Sequence, residues 1–133
     1  MMKQSLLASL AIFVAWGLLD FFFHGVLLMG DYTATASLWR PMDQMNPILM
    51  HGATFVGAVL LTWIYGAFIS NKSVSKGFKF GASLGLLMGV VAGFAPYAWM
   101  PITLKIAEVW ALAYVFKYAV AGAIMGKIMT KDC

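Results

Sequence analysis

Disulfides, dense charge and long polar stretches are all missing from this 133-residue chain. The lone cysteine, Cys133, has no second cysteine to pair with, which excludes an internal disulfide and dithiol redox chemistry. Charged residues make up 11% of the sequence and apolar ones 62%. A soluble domain carries roughly 25% charge, so the composition points to a membrane. There is no long basic run and no nucleic-acid motif, so no nucleic-acid partner is expected. No combination of nucleophile, base and orienting group suggests a hydrolase, and a non-enzymatic role is expected. The four prolines, Pro41, Pro47, Pro96 and Pro101, fall where elements should start, bend or stop.

Four long apolar runs remain. They predict an all-α membrane protein of four transmembrane helices in an up-down bundle, folded as one domain over residues 1–133. Helix 1 is expected over residues 5–29, helix 2 over 47–70, helix 3 over 78–99 and helix 4 over 102–126. A run of about 25 residues spans about 37 Å, enough for a hydrocarbon core of about 30 Å with some tilt. Lys3 ahead of an apolar run resembles a signal peptide. The run is too long for an h-region and contains Asp20 and His24, so a retained helix is expected. Gly30-Asp31 marks its predicted end, and residues 30–46 form the longest connection. Tyr32, Leu38, Trp39 and Arg40 suggest that this loop lies in the interface, with Arg40-Pro41 breaking any short helix. Asn46-Pro47 reads as a helix start.

Lys3, Lys72, Lys76, Lys79, Lys127 and Lys131 lie on one side of the predicted spans, and Arg40 and Lys105 on the other. The positive-inside rule then puts both termini in the cytoplasm, in a prokaryotic cytoplasmic membrane, with the 30–46 loop outside.

The most regular stretch is glycine at every fourth residue: Gly77, Gly81, Gly85, Gly89 and Gly93. In a membrane helix this makes a strip for close backbone packing, a glycine-zipper or GxxxG pattern. Helix 2 offers a small face, Ala53 and Gly57, that could meet it. Helix 4 has its own small pairs, Gly122–Gly126 and Ala119–Ala123. So many close-packing faces favour a homo-oligomer or docking into a larger membrane complex, beside the lipid bilayer itself.

Ionisable residues inside a membrane are costly and are usually paired. Counting 1.5 Å per residue places Asp20 and Lys117 both near the midplane, so they can pair if helices 1 and 4 are neighbours. His24 shares a helix face with Asp20, and Tyr114 lies one turn from Lys117. The same arithmetic gives His24 and His51 similar depths. Trp16 is expected between helices. Glu108 sits on the opposite side of helix 4 from Lys117, with Arg40, Tyr97 or a second subunit as its expected neighbour.

Three readings follow. The first is a non-enzymatic accessory or assembly subunit whose Asp20–Lys117 contact fixes helix register. The alternative is a small proton-coupled transporter using Asp20 and His24. A further alternative is a haem- or copper-binding protein. Haem would use His24 and His51, and copper would add Met45, Met50 and the neighbouring Met29 and Met42, because thioether and imidazole ligands suit Cu(I). The architecture resembles that of small multidrug transporters. It departs from them in lacking their aromatic and proline-rich motifs and in placing its acid late in helix 1.

Overall fold

The computed structural model describes residues 2–130. Lys131 and Cys133 lie outside the described residues. The described chain is all-helical, and four of its helices are long and apolar enough to cross a membrane: Met2–Leu27, Pro47–Phe68, Val74–Trp99 and Leu104–Ile128.

Helix starts follow local capping chemistry. The Asn46 side chain accepts from Leu49 N–H at 3.0 Å and Pro47 takes the first helical position, opening α3, Pro47–Phe68. Ser73 accepts from Lys76 N–H and opens α4, Val74–Met88. Thr103 accepts from Ile106 N–H and opens α6, Leu104–Ile128. The third span therefore starts four residues before the expected Phe78, because the Ser73 cap outweighs the polarity of Lys76.

Two spans change helical pitch. The first begins as α1, Met2–Asp20, and widens to a π-helix over Phe21–Leu27. The third leaves α4 through a π-helix over Gly89–Phe94 and resumes as α5, Ala95–Trp99. Pro96 stands in the first turn of α5. It has no N–H to give the preceding turn and its ring crowds that turn's carbonyl, so the helix adjusts just ahead of it.

The first span does not end at Gly30-Asp31 as expected. It breaks at Leu28, which is fully buried against Ile102, Ile106 and Ala107, and a new helix, α2, runs through Met29–Ala34. Burying Leu28 sets the turn there, and Gly30 and Asp31 follow inside α2. Short 3-10 turns at Ala36–Leu38 and Met42–Gln44 complete the connection.

α6 is the central element. α1 packs on one side of it and α4 on the other, and α3 packs on α1. The register of α1 against α3 is marked by a buried Ser9–Thr62 hydroxyl pair at 2.8 Å. Against α6, the Trp16 indole N–H donates to the Lys117 carbonyl at 2.8 Å. An apolar cluster of Ile12, Trp16, Leu61, Tyr65, Met125 and neighbouring small residues fills the end near the chain termini. A second, around Leu28, Ile102 and Ile106, fills the other end.

The glycine strip meets α6, and this corrects the expected partner. A Cβ on Gly85 would lie 2.7 Å from the Tyr114 carbonyl oxygen, and one on Gly89 would lie 2.7 Å from that of Ala111. Gly77 faces the Gly122 carbonyl and Gly81 that of Tyr118 in the same way. Gly57 faces the Trp16 ring instead. α6 takes this pairing because Gly122 and Gly126 bare its backbone at Gly77 and Gly81 and Ala111 keeps it small at Gly89 and Gly93, with Gly85 seated on the backbone between Tyr114 and Tyr118, while the Gly57 face of α3 is taken by Trp16. Without a hydrophobic force between helices in lipid, such close backbone contact and its dispersion energy carry the association.

Candidate functional site between the two apolar clusters

The layer between the two apolar ends is polar. Lys117 of α6 donates to both carboxylate oxygens of Asp20 on α1, at 2.7 and 2.9 Å. The Lys117 ammonium also lies 5.3 Å from the centre of the Trp16 ring. Asp20 is the last residue of α1 before the π-helix, and Lys117 is held by its own carbonyl's bond to Trp16. The side chains are 32% and 16% exposed respectively, so the pair is sheltered but its acid is open on one side.

What it opens onto is a cavity of about 270 Å³, lined by Asp20, His24, Trp110, Tyr114 and Lys117, with Ala92 and Ala113 as its apolar walls. Both π-segments border it: His24 belongs to the one in the first span and Ala92 to the one in the third. The larger radius and altered phase of a π-turn recur at functional sites.

A hydrogen-bonded chain borders the cavity on the α2 side. The Trp110 indole N–H donates to the Tyr32 hydroxyl oxygen at 2.7 Å, and that hydroxyl lies 2.6 Å from His24 Nδ1. Indole can only donate. The Tyr32 hydroxyl keeps its own proton to give, with Nδ1 the acceptor in reach, and in that arrangement the imidazole is neutral with its proton on Nε2. Nε2 faces the Asp20 carboxylate at 3.8 Å. The assignment uses each donor once and points a proton at the carboxylate. The Tyr32 ring stacks on His24, and Trp39 packs edge-on against Tyr32 and Trp110. Trp39 is fixed in turn by its bond to Thr35 at 2.9 Å. Burial pushes the Tyr32 phenol above its ordinary range, with the Trp110 bond opposing and the Asp20 and Asp31 charges adding to the rise. A Lys105–Asp31 ion pair at 2.6 Å ties α2 to the start of α6.

The sequence-predicted residues thus divide. Asp20, His24, Tyr114 and Lys117 come together, joined by Tyr32 and Trp39 from the connection. Arg40 is exposed and lies outside the cluster. His51 does not join it. Its ring packs edge-on to Phe13 at 6.5 Å, eleven residues before His24 and so about 16 Å away along the helix. Equal depth failed because it assumed that both helices start from one plane. The crossing of α1 and α3 carries His51 toward the middle of α1 and leaves it exposed. The two histidines therefore do not form a bis-histidine haem site. Among the described residues no group of three or more His, Cys, Asp or Glu could hold a metal, and Met50 stands exposed near His51. Glu108 is exposed beside an apolar groove of Gly89, Val90, Phe94 and Leu112, with no ion pair to Arg40. On α3, Thr62 and Tyr65 are buried while His51 is exposed.

Two contributors escaped sequence reasoning. Trp110 reads as a membrane-interface residue, yet Trp110, Tyr114 and Lys117 are spaced by four and three and share one helix face. That spacing was the available signal. The π-segments left no comparable trace. No family model, no curated protein and no solved structure matches the chain.

Proposed function

We propose that this small integral membrane protein is a proton-coupled carrier, with Asp20 and His24 as its proton-binding groups and the α1–α6 cavity as its solute site. The observation that supports this reading is the cavity itself. An ion pair that served only to lock helix register would be best packed on all sides. Here about 270 Å³ of space adjoins the acid, and an imidazole, a phenol and an ammonium line it. The positive-inside rule sets the termini in the cytoplasm and the Tyr32–Trp39–Trp110 cover on the outer side.

The accessory-subunit reading loses one of its arguments. The glycine strip and the Gly122–Gly126 pair face each other within the chain, so neither is a spare surface for a partner.

The test is proton movement. Purified protein is reconstituted into vesicles of phosphatidylethanolamine and phosphatidylglycerol holding a pH-sensitive dye, with an inward proton gradient and a panel of small solutes. Solute-dependent proton entry above empty vesicles, lost in Asp20→Asn, is expected. Entry equal to empty vesicles across the panel would reject the carrier and return the accessory subunit as the better reading.

A further inference from the structure

The charges around the cavity set what can enter it. Asp20 and Lys117 cancel, and with Nδ1 accepting from Tyr32 the His24 ring is neutral. In a sheltered, low-dielectric layer a bare ion of either sign would therefore meet no net countercharge. The donors, however, outnumber the acceptors. Lys117 has three N–H groups and gives two to Asp20, leaving one. His24 Nε2–H points into the same space. The Tyr114 hydroxyl lines it and makes no hydrogen bond among the described residues. The lone charged acceptor, Asp20, already receives both Lys117 bonds.

One added proton changes the balance. The groups facing His24 are Asp20 on its own helix, Tyr32 from α2, and Lys117, Tyr114 and Trp110 from α6, while the third span contributes Ala92. The proton reaches His24 through Tyr32. A proton arriving at its oxygen lets the hydroxyl's own proton pass to His24 Nδ1, at 2.6 Å. The imidazole then carries a proton on each nitrogen, and the layer holds two cations against one carboxylate. Charge balance calls for one monovalent anion, and the free Lys117 N–H, the Nε2–H and the Tyr114 O–H stand ready as its donors.

We infer that the cavity takes a small monocarboxylate together with one proton, as an electroneutral pair. This rests on the carrier reading and names its substrate class. The volume suits an anion of a few carbons, since sites for drug-sized ligands start at about 300 Å³. The apolar walls at Ala92 and Ala113 would receive the short carbon end, and the donors its carboxylate.

Pyruvate is the probe, because little of it is undissociated near neutral pH and bilayer leak stays low. Uptake of labelled pyruvate and internal acidification are measured in the same vesicles, with potassium and valinomycin setting the membrane potential. The expected result is one proton per pyruvate at a rate that the imposed potential does not change. Proton entry coupled only to a zwitterion or cation, or pyruvate entry that follows the potential, would overturn the monocarboxylate assignment while leaving a proton-coupled carrier. Absence of proton entry with every solute would overturn both. His24→Gln changes a half-buried ring and should bring pyruvate uptake down to the empty-vesicle level at every pH. Unchanged uptake in this variant, confirmed as folded by its fluorescence spectrum, would also overturn the assignment.

Discussion

Replacing Lys117 by Met would leave the Asp20 carboxylate facing a sheltered layer without its counterion. Two charge-assisted bonds, at 2.7 and 2.9 Å, would go with it. Breaking one side of a buried pair costs about 3–5 kcal/mol. Asp20 keeps roughly a third of its surface open, so water beside it reduces the expected loss to about 2–3 kcal/mol. Asp20→Asn should cost slightly less, since the amide still accepts one bond. The double variant, Asp20→Asn with Lys117→Met, buries no charge and should recover most of the loss, giving a coupling energy of about 3 kcal/mol. Unfolding in mixed micelles by titrated dodecyl sulfate, followed by tryptophan fluorescence, measures all four corners of this cycle. A coupling below about 0.5 kcal/mol would mean that the pair is effectively solvated, and the sheltered-layer reasoning would fail. The same four proteins separate folding from function. A double variant that is stable yet inactive in flux places the charges in the chemistry, whereas full activity would assign them to register alone.

Gly85→Leu should abolish the folded monomer, because even its Cβ would sit 2.7 Å from the Tyr114 carbonyl, while Gly17→Ala, with open space around it, should be nearly silent in the same assay. His51→Ala should leave both flux and metal content unchanged, measured by vesicle transport and elemental analysis, since His51 is exposed and lies away from the cavity. Tyr32→Phe should slow proton entry about tenfold or more while keeping the fold, a loss of the size general acid–base contacts supply; stopped-flow dye kinetics would show it, and an unchanged rate would remove Tyr32 from the route. The raised Tyr32 phenol also carries a pH sign: the folded form holds this proton more tightly than the unfolded chain. Its contribution is therefore full below the ordinary tyrosine value of about 10 and is lost as pH rises through the higher folded value. Tyrosinate absorbance and tryptophan emission should change together above that point, and Tyr32→Phe should remove the coincidence.

The spans were legible because each rests on a run of apolar residues and a local start signal, Asn46-Pro47 above all. The equal depth of Asp20 and Lys117 was legible too, by counting along two helices, but their contact also needed α1 and α6 to be neighbours, which the sequence does not encode locally. His51 shows where that arithmetic stops. Depth along one helix says nothing about how a second helix crosses it, and the Ser9–Thr62 register that decides the matter joins residues far apart in sequence. The glycine strip announced a close partner without naming it, because Gly57 and Gly122 look alike until one is seen beneath Trp16. In the sequence, Tyr32, Trp39 and Trp110 carry only the signature of an interface belt. Its inward turn depends on Leu28 seating against Ile102 and Ile106, a contact that no local pattern encodes.

The paired π-segments have a further consequence for how the molecule could evolve and move. A π-turn holds more residues per turn than the α-turns on either side, so it acts as a stored phase shift in an otherwise regular helix. Releasing one residue of that shift from Phe21–Leu27 would rotate everything beyond it by about 100°, the angle of a single α-helical step. His24 would swing off the Asp20 side and Leu28 out of its socket. The segment in the third span, Gly89–Phe94, borders the same space from the opposite wall. The two together form a vernier: small, matched slips in each would re-aim the walls of the cavity while the part of the protein packed through Gly77, Gly81 and Gly85 stays still.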